Sequence, residues 1–130
     1  MLSYVFRYKF SILLAILIAL LSLVPSSSFP DSSLFSIKFL DKFIHFSMYT
    51  LFGFVELLES RCQIQCVRFH LLLIMIIFIM STVIEVLQAT VVATRSAEWL
   101  DLLANFFGLL AGYIAFRIFK NLGIFKSLRF

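Results

Sequence analysis

Charge is what this chain has least of. Only 14% of its 130 residues are Asp, Glu, Lys or Arg, where soluble domains run near ~25%. With 62% of residues hydrophobic and a mean hydropathy of +1.07, water cannot solvate the surface, and so small a domain cannot bury the excess. A soluble enzyme, a disordered tail and a free nucleic-acid-binding domain are excluded. Glycine and proline are also scarce, at four and two residues, which argues against a β-barrel with its alternating polarity and frequent turns. Two cysteines, Cys62 and Cys66, are too few for a disulfide scaffold, and C-x-x-x-C is not the redox or zinc-knuckle spacing. The chain shows no dinucleotide fingerprint, Mg²⁺-nucleotide motif, haem ligand pair or H-E-x-x-H. No cofactor is therefore expected, and no metal site is assigned.

What is present is apolar sequence in helix-length pieces. The first piece follows Arg7 and Lys9, has its centre at 11–24, and is ended by Pro25-Ser26-Ser27-Ser28-Phe29-Pro30. It shares its basic start and apolar centre with a signal peptide. Retention is the expectation, because no small-x-small site precedes the serines. A second piece runs from about Phe39 to Leu58, a third from Phe69 to Gln88, and a fourth from Leu100 to Phe119. At ~20 residues per crossing these make four spans and leave no room for a separate soluble domain.

The basic residues orient them. Four spans place both termini and the middle loop on one side, with Arg7, Lys9, Arg61, Arg68, Arg117, Lys120, Lys126 and Arg129. The other side holds Lys38, Lys42 and Arg95. Eight against three predicts cytoplasmic termini by the positive-inside rule. Cys62 and Cys66 then lie in a cytoplasmic loop, reduced and incidental.

Ionisable residues within spans cost ~2.5–3.5 kcal/mol each at a helix centre, so each needs a reason. Asp41, His45 and Tyr49 recur every fourth residue and share a helix face, with Lys42 beside them. Ser81, Glu85 and Gln88 line a second face; Asp101, Asn105, Gly108 and Gly112 line a third. Given the orientation, all three stripes reach the outer half of the bilayer at one depth, next to Arg95, Ser96 and Glu98. Glu56 lies about 22 Å of helix from Asp41, near the inner interface, and has no role in that group. His70 and Arg68 read as boundary residues there.

These same residues carry a resemblance. Asp41-Lys42-Phe43-Ile44-His45-Phe46 followed by Tyr49 resembles the D-K-x-x-H-F-x-x-Y signature of the VanZ-like family. Ser81-x-x-x-Glu85-x-x-Gln88, Arg95-Ser96 and Asp101-x-x-x-Asn105-x-x-Gly108 are similar to the family's second block. The resemblance covers Asp41 to about Gly112. It implies a small bacterial membrane protein of a family named for a teicoplanin-resistance determinant, but it implies no defined reaction.

Two readings of the polar group stand side by side. One is an ion-pair network that fixes helix register, which need not add stability. The other is a site for an outer-leaflet ligand. There Lys42 and Arg95 would hold a phosphate or carboxylate, His45 would exchange a proton with Asp41 or Glu85 orienting it, and Gln88 and Asn105 would bond a sugar or amide. A metal variant would use Asp41, His45, Glu85 and Asp101 as ligands, although no ligand motif marks them. Ser81 and Ser96 lack the surroundings of a nucleophile. Gly108-x-x-x-Gly112 permits close helix packing, within the bundle or between copies.

The sequence thus predicts an all-α membrane protein, a four-transmembrane-helix bundle with both termini cytoplasmic. It forms a single VanZ-like domain over 1–130, with approximate spans 10–25, 39–58, 69–88 and 100–119, multi-pass in the bacterial cytoplasmic membrane. Its expected ligand-binding residues are Asp41, Lys42, His45, Tyr49, Glu85, Gln88, Arg95, Ser96, Asp101 and Asn105. The leading expectation is a non-enzymatic envelope protein with an outward-facing polar pocket for a lipid-linked or cell-wall-related ligand, and glycopeptide tolerance as the phenotype the resemblance implies. The alternative is a membrane-embedded acid–base or metal-assisted hydrolase or transferase acting on a lipid-linked phosphate or sugar. A small transporter or assembly partner ranks third. The expected partners are membrane lipids and a lipid-linked cell-wall precursor, with no nucleic acid; a homo-oligomer stays open.

Overall fold

The computed structural model describes residues 7–23, 40–60, 67–91 and 98–123. Within them the chain is helical, without a strand, and each helix lies on one of the four apolar stretches: α1 (Lys9–Leu23), α2 (Leu40–Glu59), α3 (Val67–Val91) and α4 (Trp99–Asn121). Two of these, α3 and α4, are long and apolar enough to cross a membrane, with mean hydropathies of 2.5 and 1.7. The described part of α1 has 15 residues, about 22 Å of helix against a ~30 Å hydrocarbon core. Helix α2 has the length, but Asp41, Lys42, Glu56 and Glu59 dilute its apolar character. Helix α3 continues through Ala89, Thr90 and Val91, so the link to α4 is shorter than the sequence pattern predicts.

The surface and interior divide polarity in the sense opposite to a water-soluble protein. Large apolar side chains point outward all along the helices, among them Leu13, Ile16, Leu20, Leu72, Ile76, Ile79, Phe107, Ile114 and Ile118. Ser11, Ser22, His45, His70, Ser81, Glu85, Gln88, Asp101 and Asn105 are buried instead. Such a division suits an apolar solvent, in which polar groups must find their partners inside the protein. Hydroxyls also bond back to their own helix: Thr50 Oγ1 donates to Phe46 O (2.7 Å) and Ser81 Oγ to Phe78 O (2.8 Å).

Helices α2 and α4 form the most extensive contact. The cause is local. A Cβ on Gly108 would come 2.5 Å from Phe46 O, and one on Gly112 would come 2.5 Å from Thr50 O and 3.0 Å from Phe54 N. The two glycines let the backbones touch, and this brings the polar stripes of both helices into register. The Gly-x-x-x-Gly pattern thus works within the chain. An apolar cluster of Ile18, Tyr49, Phe52, Ile77 and Leu109 joins all four helices beside that seam.

Helix α1 does more than the sequence implied. Its first-turn amides at Phe10 and Ser11 donate to the Glu59 carboxylate, at 3.1 and 2.9 Å, and Ser11 Oγ donates to the same group at 2.6 Å. A carboxylate from the end of α2 therefore caps α1, where unpaired N–H groups and the helix dipole both favour negative charge. At the other end Gln88 Nε2 of α3 donates to the Ser22 carbonyl. Just past α4 the Gly123 N–H bonds Lys120 O at 3.0 Å, and Gly123 turns the chain away from the helix with a φ of 71°.

Candidate functional site

Three helix segments meet where the sequence stripes predicted a polar group. Asp41 and Asp101 stand in the first turns of α2 and α4, and Glu98 immediately precedes α4, positions where the helix dipole favours acids. Glu98 makes no side-chain cap to its own helix. It pairs instead with Lys42, whose Nζ also lies 2.8 Å from Asp101 Oδ1 and 3.6 Å from Asp41 Oδ2. Lys42 and Asp101 are largely buried, with 20% and 7% of their side chains exposed, while Asp41 and Glu98 are about half exposed. The group thus has a dry floor and an open rim.

One helical turn deeper, His45 of α2 is buried. Its Nδ1 lies 3.0 Å from Asn105 Oδ1 on α4 and 3.6 Å from Glu85 Oε1 on α3. A carbonyl oxygen can only accept, so Nδ1 carries the proton in this arrangement. In the neutral ring Nε2 is then bare, and it stands 4.0 Å from Asp41 Oδ1, beyond hydrogen-bond distance. Asn105 is fully buried, and its Nδ2 has no hydrogen-bond partner among the described residues. Orphaned buried donors are rare; the ring nitrogens of His70 are also without a partner among the described residues.

The structure brings Asp41, Lys42, His45, Glu85, Asp101 and Asn105 together. Tyr49 continues the α2 stripe into the apolar cluster, where its ring is buried beside Ser81 and Glu85. Gln88 is buried but turned to α1, its amide spent on Ser22 O. Arg95 and Ser96 lie outside the described residues. Glu98, which the sequence set beside the stripes but not among the ligand-binding residues, belongs to the group through its pairing with Lys42. Lys42 is already bound by three carboxylates, so the described residues of this group, with Glu85 as a fourth acid, carry an excess of negative charge.

Two other polar places lie apart from this group. Glu56 is half-buried beside Ser11 and Glu59, in the capping arrangement of α1. His70, placed at a boundary by the sequence, is fully enclosed by aromatic rings, with Phe116 at 5.5 Å and Tyr113 at 6.5 Å between centroids.

What such an arrangement can do is bounded by its groups. Carboxylates and an amide bond hydroxyl and N–H groups of a ligand, and a bare imidazole nitrogen accepts a proton or binds a cation. Searches of curated proteins and of solved structures found no match. The model of the VanZ/LLP1 family matches residues 1–120, and so takes in all four helices together with every residue of the polar group. This protein belongs to the VanZ/LLP1 family.

Proposed function

We propose that the chain is a four-span envelope protein of the bacterial cytoplasmic membrane, both termini inside. Its polar group opens outward and engages a lipid-linked ligand of the outer leaflet. The observation that carries this reading is the meeting of Lys42, His45, Glu85, Asp101 and Asn105 inside a bundle whose outer surface is apolar, with the Asn105 Nδ2 donor unspent among the described residues. A ligand group that accepts a hydrogen bond would pair this donor. The distribution of Lys and Arg supports the orientation, and the charge of the group narrows the chemistry. Carboxylates and the Asn105 amide suit the hydroxyl and amide groups of a sugar or peptide. Arg95 would hold the accompanying phosphate. A ligand of this class belongs to cell-wall assembly, which ties the reading to the glycopeptide tolerance associated with the family's name.

The test is native mass spectrometry of lipids that co-purify in mild detergent, comparing wild type with Arg95→Ala and Asn105→Leu. Retention of a polyprenyl-linked lipid by wild type, and its loss from folded variants, is expected. Equal retention in all three proteins, or none in wild type, would sink the reading.

One observation favours the alternative, a hydrolase or transferase acting on the same class of lipid. A buried imidazole with Nδ1 anchored on Asn105 and Nε2 bare has the geometry of a general base. Turnover of the retained lipid by wild type, lost in His45→Gln with lipid still bound, would establish it.

A further inference from the structure

We propose that Asp41, His45 and Asp101 bind one divalent transition-metal ion through His45 Nε2 and one oxygen of each aspartate. One ligand atom from each residue lies within 4.8 Å of the other two. A metal bonds such atoms at ~2.0–2.2 Å, so the triangle must contract. Asp41 is the residue able to do this, because its side chain is half exposed and its carboxylate swings on two torsions.

The acids alone would not carry the proposal; the imidazole does. His45 is 5% exposed, its Nδ1 is taken up by Asn105 Oδ1, and its Nε2 faces Asp41 without a hydrogen bond. That nitrogen spends its lone pair on no donor among the described residues, and coordination would use it. Metal-binding histidines almost always donate their second N–H to a carbonyl or carboxylate, which fixes ring and tautomer. Here Asn105 Oδ1 accepts that bond at 3.0 Å, with Glu85 Oε1 at 3.6 Å on the same side of the ring. The sequence placed Glu85 among the ligands of a metal variant; the structure sets it against Nδ1, away from the aspartates, as an orienting group.

The donor set selects the ion. One imidazole and two carboxylates suit Zn²⁺, Mn²⁺ or Fe²⁺, whereas Mg²⁺ and Ca²⁺ prefer oxygen alone. Lys42 is the competitor, since its ammonium holds Asp101 Oδ1 at 2.8 Å and Asp41 Oδ2 at 3.6 Å. On metal entry the ammonium leaves the aspartates and stays with Glu98, its partner at the rim. Removing that ammonium therefore tightens metal binding.

The test uses full-length protein in detergent, stripped with chelator and titrated with Mn²⁺ alone under electron paramagnetic resonance. No lipid is required, so its outcome is independent of the lipid reading. One Mn²⁺ per chain with a nitrogen coupling from the imidazole is expected. His45→Gln should abolish the coupling. Asp101→Asn and Asp41→Asn should each weaken binding at least about tenfold, since even changes to second-sphere partners cost about 10–100-fold. Lys42→Met should bind more tightly than wild type. Asp41 is exposed, so its variant remains informative if His45→Gln fails to fold. Absence of stoichiometric Mn²⁺ binding in wild type, or binding undiminished in Asp41→Asn, would overturn the proposal.

Discussion

Adding one methyl group at Gly108 should separate the two helices that hold the polar group. The Cβ of Gly108→Ala would lie 2.5 Å from Phe46 O and 3.2 Å from both Phe46 C and Thr50 N. All three are backbone atoms, so no side chain can turn aside. Reaching ordinary contact at 3.4 Å requires about 0.9 Å of displacement of α4 from α2. Overpacking of this kind costs ~1–3 kcal/mol, against a gain of ~1 kcal/mol in helix propensity for Ala over Gly. The displacement also lengthens the Lys42–Asp101 and His45–Asn105 contacts, which cross the same seam and have little slack at 2.8 and 3.0 Å. Packing and propensity together leave a net loss of about 0–2 kcal/mol, and the lengthened contacts add to it. Gly112→Ala should behave alike, with contacts of 2.5 and 3.0 Å to backbone. Gly53→Ala is the internal control, because its new methyl meets the end of the Leu109 side chain at 3.1 Å, which can yield. Unfolding in detergent, followed by circular dichroism, should rank Gly108→Ala and Gly112→Ala well below wild type and Gly53→Ala close to it. Equal stability of all three would mean that the helices do not meet through their backbones here.

Two further outcomes follow from the ion pairs and the cap. Lys42→Met in chelator-treated protein leaves Asp101 buried and without its cation, which costs ~3–5 kcal/mol for a broken buried pair. Asp101→Asn in the same chain should recover part of that loss, with a coupling of ~1–3 kcal/mol in a double-mutant cycle; strictly additive effects would show that the two residues do not interact. Glu59→Ala removes three hydrogen bonds to the start of α1 and should cost ~1–2 kcal/mol. The exchange of the Phe10 and Ser11 amides should quicken more than that of α3, and unchanged exchange there would count against the cap.

The sequence marked the faces of the site better than its pairings. Fourfold spacing put Asp41, His45 and Tyr49 on one face and Asp101, Asn105, Gly108 and Gly112 on another. Such placement depends on helix geometry alone, and the structure buries all of these except Asp41. Which group meets which depends on helix rotation and separation, which no local pattern encodes. Glu85 could equally have faced Lys42, and Gln88 the ligand; packing put Glu85 beside His45 and spent Gln88 on α1.

The sequence by itself determined that the chain is a helical, lipid-suited protein with a few costly polar residues gathered in stripes. Composition and period settle that much, because burial in an apolar medium forces helices and penalises every stray charge. Only the tertiary structure decided that Lys42 is neutralised by three acids, that His45 points a bare nitrogen at Asp41, that His70 is sealed among aromatic rings, and that Glu59 caps α1 from another helix. Most of those outcomes turn on contacts between residues about 40 to 60 positions apart, such as Ser11 with Glu59 and His45 with Asn105. The backbone approach at Gly108 and Gly112 sets the distance over which the α2–α4 contacts among them form.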